Sequence, residues 1–226
     1  MSHLKRIRVP KSWPLEKRKY RKYIARPLPG PHKLMNSITL DFLLKDILKI
    51  AKTTKEVKLI LNKGYVLIDN VVRKNHKFPV GLIDTISLPE LNQYYIILFN
   101  QGKFSIHPTT KGEADSKICK IVGKKILKGK KLQLNLYDGK NILVDKDEYK
   151  VGDSIIISQN KIKKHLKFEK GALIYLTDGK HKGTISKLEE IQHFKGITPD
   201  RVILKYDNKK ITTRKDYAFV IEKEFK

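Results

Sequence analysis

The clearest helical period in this chain lies over residues 39–62. There Leu40, Leu43, Leu44, Ile47, Leu48 and Ala51 recur at three- and four-residue spacing, so they share one helical face. Thr53 and Glu56 have capping-box spacing and open a second helix, whose apolar face continues through Val57, Ile60 and Leu61. Gly64 is placed to end it in the left-handed conformation. Little more than Lys52 separates the two segments, which predicts a tight helical hairpin.

From Tyr65 the period changes to two. Val66 and Ile68 alternate, Asp69-Asn70 supplies a turn, Val71-Val72 begins a return strand, and 78–86 reads as one extended run. Beyond residue 92 only 111–117 has helical character. Segments 94–99 and 104–107 flank Asn100-Gln101-Gly102, and Leu132, Leu134 and Leu136 alternate before Asp138-Gly139, a two-residue hairpin signal into 141–144. A strand at 154–158 follows Val151-Gly152-Asp153. The last block predicts strands at 172–176, 184–188, 202–206, 210–214 and 217–221, with Asp207-Asn208-Lys209 as a hairpin turn. Short strands at this spacing predict small β-barrels. The expected fold class is α+β, mostly β.

Residues 1–37 differ from the rest. Pro10, Pro14, Pro27, Pro29 and Pro31 exclude a continuous helix, few residues are apolar, and Trp13, Tyr20 and Tyr23 lie among basic side chains. An extended basic arm that orders against RNA is the reading this composition favours. The formal net charge of the whole chain is +26, of which residues 1–40 contribute +10, with Glu16 as their one acidic residue. Residues 41–90, 91–165 and 166–226 add +3, +8 and +5. Charge on that scale opposes compaction, so a polyanionic partner along the whole length is expected.

Enzymatic chemistry finds little support. The seven histidines have no close ligand spacing, there is no GxxxxGK[ST] phosphate loop, and one cysteine excludes an intrachain disulfide. Asp145, Asp147, Glu148 and Asp153 read as a polar turn rather than a metal site, and Cys119 between Ile118 and Ile121 as a core thiol. The longest apolar run, 94–99, is far short of the ~20 residues a membrane span needs. No secretory h-region is present. Expected are a soluble cytoplasmic protein, no cofactor, no metal, no small-molecule substrate and no membrane.

The run Thr53-Thr54-Lys55-Glu56-Val57, then Ile60-Leu61-Asn62-Lys63-Gly64-Tyr65-Val66-Leu67-Ile68-Asp69-Asn70, closed by Leu82-Ile83-Asp84-Thr85-Ile86, resembles the S-four RNA-binding domain. Asp178-Gly179-Lys180-His181-Lys182-Gly183, between two strand signals, resembles a KOW motif on an SH3-like barrel. In that order, after an arm carrying Pro10-Lys11-Ser12-Trp13 and Gly30-Pro31-His32-Lys33-Leu34, the chain resembles the e-type S-four proteins of archaeal and eukaryotic small ribosomal subunits. Lacking a basic C-terminal extension, it is closer to the archaeal form.

The resemblance implies a basic N-terminal arm at 1–37, an S-four domain at 38–100, a central β domain at 101–168 and a KOW/SH3-like domain at 169–226. It implies a structural, non-catalytic role in the ribosome, with small-subunit rRNA and neighbouring ribosomal proteins as partners. The expected RNA-binding residues of the arm are Lys5, Arg6, Arg8, Lys11, Trp13, Lys17, Arg18, Lys19, Arg21, Lys22 and Lys33. Those of the helical unit are Lys45, Lys49, Lys55, Lys58, Arg73 and Lys74, and those of the KOW loop Lys180, His181 and Lys182. An RNA-modifying enzyme would need a catalytic domain that the β-rich remainder does not offer. DNA compaction or binding to an anionic membrane would need only the charge.

Overall fold

A computed structural model describes residues 3–19, 21–158, 161–194, 196–206 and 209–222, with nothing said of the Lys130 side chain. Tyr20 and the Asp207-Asn208 turn lie outside the described residues. The fold is mostly β and divides into two compact units, Met1–Phe99 with Lys103–Lys117, and Asn100–Gly102 with Ile118–Lys226.

In the first unit the basic N-terminal segment is folded, which corrects the expectation of an extended arm. Leu4–Lys5 pairs antiparallel with Tyr23–Ile24, and Ser12 O accepts from Phe104 N at 2.8 Å. Part of its apolar content is committed inward: Leu4, Val9 and Trp13 are buried, and the Trp13 ring lies 5.0 Å from that of Phe42, while Ile7, Leu28 and Met35 stay exposed. Prolines do exclude a long helix here, but a chain without helix can still bury a tryptophan.

Thr39 caps the first helix by accepting from Phe42 N at 3.3 Å. The helix is shorter than its apolar period predicts. Leu40–Phe42 is α-helical and Leu43–Ile47 widens into a π turn, with Leu48 N donating to Leu43 O. Lys49 then takes a left-handed φ of 55°, so Ala51 belongs to the connection. Thr54–Asn62 forms as expected: Thr53 Oγ1 accepts from Glu56 N, and Glu56 Oε2 accepts from Lys52 N at 2.8 Å. Gly64 follows at φ 81°.

Asp69 and Asn70 both have positive φ, 50° and 63°, the requirement of a two-residue type I′ turn between Leu67–Ile68 and Val71–Val72. The run 78–86 is not one strand. Ile83 sits at φ 62° and splits it into Pro79–Gly81, which pairs with Ser37–Thr39, and Thr85–Leu88, which joins a different sheet. A β-branched residue there is strained. Asp84 holds the kink, its Oδ2 accepting from Gly81 N at 2.7 Å. The five-stranded sheet runs in the order Val71–Val72, Leu67–Ile68, Thr85–Leu88, Gln93–Asn100, Lys103–Pro108.

A charged cluster closes this unit. Asp84 and His32 are each 2% exposed in their side chains and lie 2.9 Å apart, and Lys117 Nζ donates to Asp84 at 2.5 Å and to Asp69 at 2.6 Å. Burial pushes the Asp84 pKa up, but the Lys117 ammonium and then His32 more than offset it and hold the carboxylate well below its usual range. His32, Asp84, Asp69 and Lys117 thereby join four segments far apart in sequence.

The second unit holds two five-stranded sheets. The first is ordered Asn141–Val144, Leu132–Leu136, Lys117–Ile126, Ser154–Ser158, Lys161–Leu166, over a core of Cys119, Ile121, Leu134 and Ile155. The second is ordered Lys209–Arg214, Arg201–Tyr206, Ile185–Gln192, Leu173–Leu176, Ala218–Ile221, over Ile174, Leu188, Val202, Leu204 and Val220. Cys119 is a buried thiol, as its neighbours predict.

The strands at Lys117–Ile126 and Lys161–Leu166 are not anticipated by alternation, because lysines interrupt it. The Asp138-Gly139 turn also differs. Only Gly139 has positive φ (77°), and Leu136 N donates to Lys140 O, so the loop has three residues rather than a type I′ pair. Between the sheets, Lys120 Nζ donates to the carbonyls of Asp216 (2.8 Å) and Ala218 (2.7 Å). Asp153 accepts from the amides of Lys150 and Phe168, as a polar turn requires.

Candidate nucleic-acid interface

Two basic surfaces stand out, one in each unit. In the first unit a cleft of about 910 Å³ runs between the N-terminal segment and the helices. Arg6, Lys17 and Arg21 line one side, Lys45, Lys49 and Lys52 the other, and His76 and Lys77 also contribute. The local folding explains the convergence. Pairing of Leu4–Lys5 with Tyr23–Ile24 returns the segment on itself, and Asp41 N donating to His76 O brings the loop after Val71–Val72 against the start of the first helix.

Acidic residues moderate this charge without cancelling it. Asp41 pairs with Lys45 at 2.7 Å, and Asp46 lies 3.9 Å from Arg6. Burial, opposed by Arg6, raises the Asp46 pKa above its ordinary value. Burial and then Lys58 lower that of His76, which favours the neutral imidazole.

The expected RNA-facing residues divide by exposure. Lys5, Arg8, Lys11, Lys17, Lys19, Arg21, Lys22 and Lys33 are exposed, as are Lys49, Lys55, Lys58 and Lys74. Trp13, at 1% exposure, is a core residue, so it is removed from the set of bases' stacking partners. Arg6 is buried as well, with Nε donating to Lys17 O at 2.9 Å. Arg18 donates to Val9 O at 3.1 Å and is half-buried. These three serve the fold because they bridge backbone within the segment or fill its core. Lys45 is committed to Asp41 and to Thr54 Oγ1 at 3.0 Å, and Arg73 lies 4.5 Å over the Phe78 ring. Lys52, His76 and Lys77 were missed by the sequence reading. In sequence Lys52 reads as a mere connection between the helices, and nothing there brings residues 76–77 to them.

In the second unit the loop Asp178-Gly179-Lys180-His181-Lys182-Gly183 is closed by Gly183 N donating to Leu176 O at 2.8 Å. Gly179 and Gly183 have φ of 90° and 94°, which L side chains resist. Lys180 and His181 are exposed, while Lys182 is half-buried and its pKa is lowered by that burial. Lys187, Lys205 and Tyr206 from neighbouring strands line the same hollow. Their outward places on alternating strands are the signal that locates them.

Comparison with known proteins follows this geometry. The family model "Ribosomal family S4e" matches residues 91–163, and the RS4NT (NUC023) domain matches residues 2–35. The small ribosomal subunit protein eS4 of Methanocaldococcus jannaschii is 44% identical over 234 residues, covering 98% of this chain and 94% of that protein. This chain belongs to the ribosomal S4e family. The Methanocella arvoryzae member is 41% identical, covering 99% and 95%. The crystal structure of the 30S ribosomal protein S4e from Thermoplasma acidophilum matches with a TM-score of 0.70 at 28% identity, over 82% of this chain and 95% of that one. S4e is a family of ribosomal proteins and not of enzymes. Among the described residues no helix is long and apolar enough to cross a membrane.

Proposed function

We propose that this chain is a structural, rRNA-binding component of the small ribosomal subunit, acting in the cytoplasm within the ribosome. The observation that carries the reading is the basic cleft, where cations from the N-terminal segment and from the helices meet on one concave surface. Lysine and arginine at that density neutralise phosphates and release counterions. The unit formed by the two helices and the first sheet acts as the S-four-like module, recognising RNA shape and backbone. The loop around Lys180, His181 and Lys182 acts as a KOW-type contact on an SH3-like barrel, and the central sheet extends the footprint. Residues 1–37 are a basic segment already anchored by Trp13, whose exposed lysines and arginines reach RNA. Neighbouring ribosomal proteins complete the environment, with no small-molecule substrate and no catalysis.

The test is filter binding of the full chain to a small-subunit rRNA fragment between about 50 and about 200 mM salt. Each neutralised phosphate contributes roughly −0.7 to −0.9 to the slope of log K against log salt, so a steep negative slope is expected. A slope near zero contradicts the assignment.

A further inference from the structure

The cleft in the first unit offers more than a phosphate backbone requires. Tracking a backbone needs exposed cations, and Lys17, Lys49 and Lys52 supply them. It does not need a concave space of about 910 Å³, which falls in the range of small-molecule sites, roughly 300–1,000 Å³. Nor does it need an apolar wall, yet Leu15, Ile24 and the half-exposed ring of Tyr23 line this one.

Two hydrogen-bonding groups of the lining are also left over. Asp41 is 3% exposed, and while its Oδ2 binds Lys45, its Oδ1 has no hydrogen-bond partner among the described residues. The partly buried ring of His76, whose pKa is lowered by burial and then by Lys58, makes no side-chain hydrogen bond among the described residues either. A neutral imidazole offers one donor and one acceptor, and a carboxylate oxygen accepts. Buried polar groups are paired in native structures, so the unpaired Asp41 oxygen marks the cleft as complementary to a ligand carrying a donor, and the partly exposed His76 ring beside it adds a donor and an acceptor.

An RNA base fits each of these features. It has a flat apolar face, an edge bearing at least one N–H donor and one acceptor, and a phosphate on either side. Bases are recognised in RNA chiefly where they are unstacked and splayed out of a helix. We propose that the cleft receives a single unstacked RNA nucleotide, its base against Tyr23 with its edge on His76 and Asp41, and its phosphates on Lys17 and Lys49. This rests on the RNA-binding role proposed above. It makes the first unit a reader of local RNA structure, since a continuous duplex has no free base to give.

The experiment uses the full chain and follows the His76 ring by ¹H–¹⁵N NMR, the signal being assigned with His76→Gln. The probes are a short single-stranded RNA, a blunt duplex of the same length, and a small-subunit rRNA transcript. The single strand and the transcript are expected to shift the His76 signal, and the duplex to leave it in place. His76→Ala and Asp41→Ala are each expected to weaken single-strand binding about tenfold, the loss of one well-formed hydrogen bond. Because the NMR measurement is made on the unaltered chain, it decides the matter even if a variant misfolds. An unmoved His76 signal with the transcript bound, or equal shifts from duplex and single strand, overturns the nucleotide site and leaves rRNA binding intact. A His76 shift with the single strand, but no binding of the transcript, supports the site and overturns the rRNA assignment instead.

Discussion

Replacing Lys117 by Met should destabilise the first unit by about 3–5 kcal/mol, the range for leaving a buried charge without its partner. The geometry supports the upper part of that range. Lys117 is 9% exposed and its ammonium is shared by two carboxylates, Asp69 at 12% and Asp84 at 2% exposure. Methionine fills a similar volume but removes the one ammonium that both carboxylates share, leaving Asp84 to His32. Both carboxylates also hold backbone: Asp69 accepts from Thr85 N at 3.2 Å and Asp84 from Gly81 N at 2.7 Å, so neither can swing out to water without a second loss. The assay is urea unfolding followed by intrinsic fluorescence, because Trp13 is the only tryptophan of the chain and lies in the core of this unit.

The sign of the pH dependence is fixed by Asp84. Its pKa is depressed in the fold, chiefly by Lys117 acting against burial, so its stabilisation is present above the unfolded carboxylate value of ~3.9 and is lost as pH falls through the folded value. Without Lys117 burial dominates and the folded pKa rises. The penalty of Lys117→Met is therefore largest near neutrality and shrinks on acidification, as the carboxylates protonate. Asp69→Asn added to Lys117→Met should recover part of the loss. A penalty below about 1 kcal/mol, or one that does not change with pH, would refute charge compensation as the cluster's role.

Gly81→Ala should destabilise the same unit and show reduced Trp13 burial by quenching, because a Cβ there overlaps the His32 ring. Unchanged stability would mean the His32 segment moves aside freely. Lys120, whose pKa burial lowers to about 8 from its ordinary 10.5, binds its proton more weakly in the fold than in the unfolded chain. Stability of the second unit should accordingly rise between about pH 8 and about pH 10.5, by about 3 kcal/mol in total, and Lys120→Met should flatten that rise in a pH series of thermal melts. Thr53→Ala removes the capping box of Thr54–Asn62 and should cost about 1 kcal/mol by urea unfolding, with Thr53→Ser restoring most of it.

Local chemistry was legible along the chain, and long-range closure was not. The capping box at Thr53 and Glu56, the left-handed Gly64 and the Asp69-Asn70 turn all formed as their residues predict, because each is settled within four residues. The first helix was overestimated, since an apolar period records burial and not hydrogen bonding. Leu40, Leu43 and Leu44 are buried on a turn that is partly π-helical and ends early at Lys49. Strands Lys117–Ile126 and Lys161–Leu166 hid behind their lysines, some of which are structural. For the candidate site, charge marked the basic segments but could not sort exposed cations from those spent on the fold, as with Arg6 and Arg18.

By itself the sequence determined a mostly-β chain with one helical stretch, a positive charge spread over its whole length and the places of its tight turns, all quantities set by neighbouring residues. Only the tertiary structure decided that Trp13 lies inside, that His32 meets Asp84 and Lys117, and that His76 reaches a cleft lined by Lys17 and Lys49. Those pairings join residues tens of positions apart. They are chosen by the packing of whole elements, and by the need to pair buried charge, which no local pattern records.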